Sequence, residues 1–182
     1  SDFKYYARGI LASFFGDNTK IGEYRLVVGN GQSSAGFEGD LTNVSPTGFS
    51  YVGRGKISGE FVARIYDMEH AASAVTVSFE AGGNGGSTAY SIWKISKGVV
   101  TKLASTSKDF SDTETNTITA EDANIQKQDR LVLMWTGSTY GQPVNITNFS
   151  ASYTHTPDLY DLTVGTTGWA TIYLDFKATD RK

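Results

Sequence analysis

Apolar and polar residues alternate along most of this chain with a period of two, the spacing that gathers one set on a single face of a pleated strand. The pattern is clearest from Ala74 to Thr106. Val75, Val77 and Phe79 alternate with Thr76, Ser78 and Glu80, and the glycine-rich loop GGNGGST follows. The next segment, AYSIWKIS, puts Trp93 and Ile95 on one face and Tyr90, Ile92 and Lys94 on the other. Lys97-Gly98 separates it from VVTKLAST. Three consecutive strands are predicted. The Lys97-Gly98 pair suits the positive φ angles of a two-residue hairpin turn, which sets Ile95 opposite Val100, Trp93 opposite Lys102 and Ile92 opposite Leu103. Across the glycine-rich loop, a slip of one residue decides whether Val77 lies beside Trp93 or Ile92, and so whether Trp93 is core or surface.

The rest of the chain carries the same signal. Glu23 to Gly29 reads as a strand, Asn30 to Gly48 as a loop with a short strand near Phe37, and Phe49 to Val52 as a partner for Ile57 to Tyr66. Thr115 to Ala120 is a further short strand. Arg130 to Thr136 is apolar on both faces, the mark of a strand in the middle of a covered sheet. Val144 to Thr154 alternates Thr147, Phe149, Ala151 and Tyr153 against polar neighbours. Lys4 to Phe15 suits a strand pair or a short helix. Ala120 to Gln128 reads as one helical turn, with Thr119 as N-cap and Glu121 and Asp122 against the helix dipole. These elements predict an all-β protein, an antiparallel β-sandwich of jelly-roll type. Thr156-Pro157-Asp158 interrupts the pattern. Residues 1–155 are therefore expected to form the sandwich, and 156–182 a C-terminal hairpin docked on it or the start of a neighbouring module.

Composition narrows the function classes. The chain of 182 residues is long enough to bury a core without staples. A formal charge of −3 gives no basic footprint for nucleic acid. With no cysteine there is no disulfide, thiolate metal site or cysteine nucleophile. No apolar run approaches the roughly 18 residues of a membrane span. The opening SDFKYY is not a signal segment, which favours a module excised from a longer protein.

Candidate chemistry is sparse. GGNGGST lacks the lysine and following helix of a phosphate loop. His70 lies near Asp67 and Glu69, and His155 near Asp158 and Asp161, but neither has a third good ligand in sequence, so both read as surface-loop histidines. Glu60 and Glu80 sit on polar strand faces, where a hydrolase could hold paired carboxylates. Solvated faces explain them equally well. Asp109, Asp112 and Glu114, and again Glu38, Asp40 and Asn43, offer oxygens for a structural calcium. No cofactor is required. The aromatics are the most suggestive feature, because apolar sugar faces stack on exposed rings while hydroxyls seek amides and carboxylates. Trp135 ends its strand beside a loop carrying Tyr140 and Gln142, and Tyr90 and Trp93 follow the loop carrying Asn84. These six are the expected ligand-binding residues, although large aromatics also fill cores.

The run of short strands ending in VNITNFSASYT resembles carbohydrate-binding modules and galactose-binding-like sandwiches of extracellular bacterial glycan-degrading proteins. The tail VGTTGWATIYLDF, from Val164 to Phe176, is similar to a segment near the C-termini of secreted and surface proteins of gut Bacteroidetes. The resemblance implies a secreted or cell-surface, non-catalytic glycan-binding module. Its partners would be a polysaccharide and other modules of the same polypeptide. The alternatives are a structural or adhesive β-domain, with its aromatics buried, and a small sandwich-type glycoside hydrolase or lyase.

Overall fold

The computed structural model describes residues 23–29, 40–52, 61–83, 87–109, 114–136, 143–162 and 169–175. They form twelve strands: β1 (Glu23–Gly29), β2 (Asp40–Ser45), β3 (Gly48–Val52), β4 (Phe61–Asp67), β5 (Ala74–Gly83), β6 (Ser87–Ser96), β7 (Val99–Asp109), β8 (Glu114–Ala120), β9 (Arg130–Thr136), β10 (Pro143–His155), β11 (Asp158–Asp161) and β12 (Trp169–Asp175). One sheet has the order β1-β12-β4-β9-β6-β7. The other runs β2-β3-β10-β5-β8, with β11 paired to β10. Every pairing is antiparallel, and the chain passes repeatedly between the sheets, as in a jelly roll.

The period-two pattern explains the core. Val75, Val77, Phe79 and Ala81 of β5 face Leu131, Leu133 and Trp135 of β9 and Tyr90 and Ile92 of β6 across the sandwich, all buried. The alternate residues of β5, β8 and β10 form a polar outer face. Its hydroxyls pair across strands, Thr76 with Thr119 at 3.1 Å and Ser78 with Thr117 at 3.2 Å. On the other sheet both faces are closed, since Ala63, Val132, Met134 and Trp93 are also buried. That accounts for the two-sided apolar character of β9.

Several expectations are corrected. β5 and β6 are not neighbours, because the chain crosses between sheets after Gly83. The question of whether Val77 lies beside Trp93 or beside Ile92 within one sheet therefore dissolves. The β6–β7 hairpin does turn at Lys97 (φ 49°) and Gly98 (φ 83°), with Ile95 opposite Val100 and Trp93 opposite Lys102. A bulge then sets Ile92 opposite Ala104. β3 pairs with β2 and β10, and β4 with β9 and β12. The 120–128 segment is not helical. Asp122 and Asn124 take left-handed φ angles of 54° and 48°, and Ala123 and Ile125 donate their amides to Ser73 and Ala72 carbonyls instead. Thr147 faces outward, because a bulge between Thr147 and Ser150, with Asn148 at φ 52°, resets the register so that Phe149, Ala151 and Tyr153 point inward. Beyond Thr156, β11 pairs with β10 as a hairpin, and β12, which holds most of the Val164 to Phe176 segment, is hydrogen-bonded between β1 and β4. The expected elements at 4–15 and near Phe37 lie outside the described residues.

Two details hold β3 in place. Arg64, 1 % exposed on the inner face of β4, donates from a terminal nitrogen to the Pro46 carbonyl at 2.9 Å and stacks its guanidinium 5.4 Å from the Phe149 ring centre. Gly48 lies so close to β10 that a Cβ there would overlap the Ile146 carbonyl oxygen. Gly48→Ala is therefore expected to pry β3 from β10 and cost about 1–3 kcal/mol, read by urea denaturation. Ser50→Ala, on the outer face of the same strand, serves as the near-neutral control.

Candidate functional site

The aromatic residues expected to bind ligand are mostly core. Trp135 is 1 % exposed, Tyr90 0 % and Trp93 2 %, so none offers a free ring face to a sugar. Trp135 is enclosed by Phe49, Phe79, Tyr90 and Phe149 at centroid distances of 5.4, 5.3, 4.7 and 5.6 Å. Trp93, on the opposite face of the sheet, donates its indole N–H to Ser91 Oγ at 2.7 Å and carries the Lys102 ammonium 5.7 Å from its ring centre. Tyr140, Gln142 and Asn84 lie outside the described residues. The strand ends that adjoin them, at Gly83, Ser87, Thr136 and Pro143, belong to one end of the sandwich.

Tyr90 is a special case. Its hydroxyl is buried and makes no hydrogen bond to the described residues, and desolvation holds its pKa well above the ordinary tyrosine value. An unsatisfied buried hydroxyl costs roughly 1–3 kcal/mol. Tyr90→Phe is therefore expected to keep or raise the melting temperature. A clear fall in thermal denaturation would show that the hydroxyl has a partner.

The opposite end of the sandwich holds a group of residues that the pattern of strands did not single out together. Tyr160 of β11 lies directly opposite Tyr153 of β10, with the rings nearly parallel (15°) and 5.2 Å apart. His70, on the segment leaving β4, stacks on Tyr160 at 4.5 Å and 20°, and its Nδ1 is 2.8 Å from the Tyr153 hydroxyl. His155 continues β10 beneath them. Its Nδ1–H donates to the Ala71 carbonyl at 2.9 Å, and its ring centre is 5.2 Å from that of His70. The two histidines thus meet, rather than lying on separate surface loops. Among the described residues no group of three or more histidines and carboxylates could hold a metal ion. Of the calcium candidates, Glu38 and Asp112 lie outside the described residues, and the Asn43 amide donates to Ser50 Oγ.

Beside these rings is a cavity of about 360 Å³, lined by Tyr66, His70, Tyr153 and Tyr160, by the acidic residues Asp67, Glu69 and Asp161, and by Met68 and Leu162. A shallower hollow of about 650 Å³ continues across Asp67–His70 to Lys127 and Gln128. Tyr66 donates to the Leu162 carbonyl at 3.4 Å. Burial pushes its hydroxyl up to about 12, with the Arg64 guanidinium pulling the other way. Burial, then Tyr160 and Glu69, also raise the Tyr153 hydroxyl. Both phenols stay neutral hydrogen-bonding groups at physiological pH. Arg130 Nε pairs with Asp67 at 3.0 Å on the exposed rim. Strand pairing explains why these groups converge: Asp67 faces Arg130, and Tyr153 faces Tyr160, at the same end of the two sheets. The available sequence signal was the chain Tyr153, His155, Tyr160, read as an aromatic run through the Thr156-Pro157 turn.

No protein-family model matches this chain, and no curated protein matches it by sequence. Solved structures with a similar fold include a family 4 carbohydrate-binding module, at 12% identity and a TM-score of 0.47 over 76% of this chain and 90% of that one. A family 61 module bound to β-1,4-galactotriose follows at 13% and 0.40, over 72% and 82%. The N-terminal cellulose-binding domain of Cellulomonas fimi β-1,4-glucanase C matches at 11% and 0.40, over 72% and 89%. At such identities and scores, the function of this chain has to rest on its own residues.

Proposed function

We propose that this chain is a non-catalytic glycan-binding module, and that its sugar site is the groove between Asp67–His70 and β11. The observation that carries this reading is the pairing of a half-buried ring, Tyr160, with acidic residues in the lining of one cavity. A pyranose presents an apolar C–H face and a rim of hydroxyl donors, and it is met here by a ring face and by acceptor oxygens. The ring is held in place by His70 and Tyr153, so little side-chain entropy is lost on binding. Tyr140, Gln142 and Asn84 are proposed as ligand contacts separate from this groove, with Trp135, Trp93 and Tyr90 supporting the sandwich. Micromolar to millimolar affinity, about −8 to −4 kcal/mol, is expected.

A hydrolase is the weaker reading. Glu80 faces outward on β5, where its carboxylate accepts from the Asn148 amide at 2.8 Å, and Glu60 lies outside the described residues. Burial of Trp135, Trp93 and Tyr90 favours a structural or adhesive β-domain, whereas the aromatic groove favours binding. A secreted or cell-surface setting, other modules in the same polypeptide and a calcium clip at Asp109, Asp112 and Glu114 belong to the same proposal. Affinity electrophoresis against plant, host and microbial polysaccharides tests it. Retardation by at least one polysaccharide, with no release of reducing sugar, is expected. Free migration in all of them would overturn the reading.

A further inference from the structure

The 360 Å³ cavity falls within the roughly 300–1,000 Å³ of small-ligand sites, and its chemistry is lopsided. Its lining combines four aromatic residues, Tyr66, His70, Tyr153 and Tyr160, with three acidic ones, Asp67, Glu69 and Asp161, beside Met68 and Leu162, while no lysine or arginine lines it among the described residues. Arg130 pairs with Asp67, and Lys127 lines the adjoining hollow rather than this cavity. Ring faces attract cations through their quadrupoles, and Glu69 and Asp161 do so by charge. These are two independent features with the same preference. A uronic acid or sulfated sugar brought to this cavity would meet carboxylates with like charge, and a neutral sugar would use them only as hydrogen-bond acceptors. An amino sugar satisfies both features, with its protonated amine against the carboxylates and its C–H face against Tyr160.

Resting on the glycan-binding reading, we propose that the groove selects amino sugars: its preferred ligand is a polysaccharide bearing free, protonated 2-amino groups. Glu69 and Asp161 are the specificity-determining residues, and Tyr160 is the platform. Because both carboxylates are exposed, their substitution leaves the core untouched.

The test is calorimetric titration of the whole chain with three probes of equal length: a fully deacetylated glucosamine tetrasaccharide, its N-acetylated counterpart and tetragalacturonate. The buffer is held at about pH 6 for all three probes. The amine is expected to bind about tenfold more tightly than the N-acetylated sugar at low salt. The advantage should shrink at high salt and vanish in the Glu69→Gln, Asp161→Asn double variant, whose melting temperature is unchanged. Tetragalacturonate should bind least. If the amine and N-acetyl sugars bind equally, or the double variant keeps the preference, the amino-sugar inference fails while the glycan reading stands. If none of the three binds but a different polysaccharide retards the chain in gels, the inference likewise fails alone. If nothing binds in either assay, both fail.

Discussion

Trp135→Ala is expected to lose roughly 3–5 kcal/mol of stability, the cost of emptying a buried large aromatic site. At about 2–4 °C per kcal/mol for a chain of this size, the thermal transition followed by circular dichroism should fall by more than 6 °C. Four aromatic rings close on this indole, from both sheets: Phe49, Phe79 and Phe149 on one side and Tyr90 on the other. Truncation removes their common partner, so the inner surfaces of both sheets lose packing at once. A stability of 5–15 kcal/mol is typical of a domain, which makes the loss a large share of the total. Trp135→Phe should recover part of it. The alternative role, an exposed sugar platform, makes the opposite forecast, with unchanged melting and lost binding.

Tyr160→Ala should show that second pattern. Tyr160 sits on β11, a strand of four residues paired with β10 alone, and its ring is half-buried. It packs on the edge of the core through Tyr153, so its removal strips that edge and leaves the sandwich interior in place. Truncation also removes the ring that stacks on His70, and with it part of the cavity's aromatic lining. Affinity for glycan is expected to fall at least about tenfold, or ~1.4 kcal/mol, while melting shifts by only a few degrees. Tyr160→Phe, which keeps the ring face, should retain most of the binding. Equal affinity in wild type and Tyr160→Ala would remove the groove from the account.

Much of the fold was legible because burial imposes a period on strands. β5 and β9 alternate so regularly that their faces could be assigned from Val75 and Leu131, and β10 from Phe149 to Tyr153, whereas its bulge put Thr147 on the other face. The Lys97-Gly98 turn carried its own backbone signature. What period two cannot reveal is which strand sits beside which, since a strand crossing to the other sheet has the same alternation as one that folds back. Hence β5 and β6 read as neighbours. β2 was hidden because Thr42, Asn43 and Ser45 lie on a sheet edge and resemble a loop.

The site was less legible for the same reason. Large rings were read as platforms when their strands carried them inward, as Trp135 and Tyr90 show. The groove residues are individually unremarked loop and edge positions. His70 and Tyr153 are 83 positions apart and meet because β5 pairs with β10, setting Ala74 opposite Thr154. Long-range convergence of this kind is a property of topology, and no local spacing announces it.

The most direct measurement is an amide chemical-shift map by NMR. An oligosaccharide cut from whichever polysaccharide retards the chain in gels is titrated into the isotope-labelled protein. The account predicts that the shifted amides cluster at residues 66–70 and 158–162. Shifts concentrated on the outer hydroxyl face, at Thr76, Ser78 and Thr117, or an unperturbed groove with ligand bound, would contradict it.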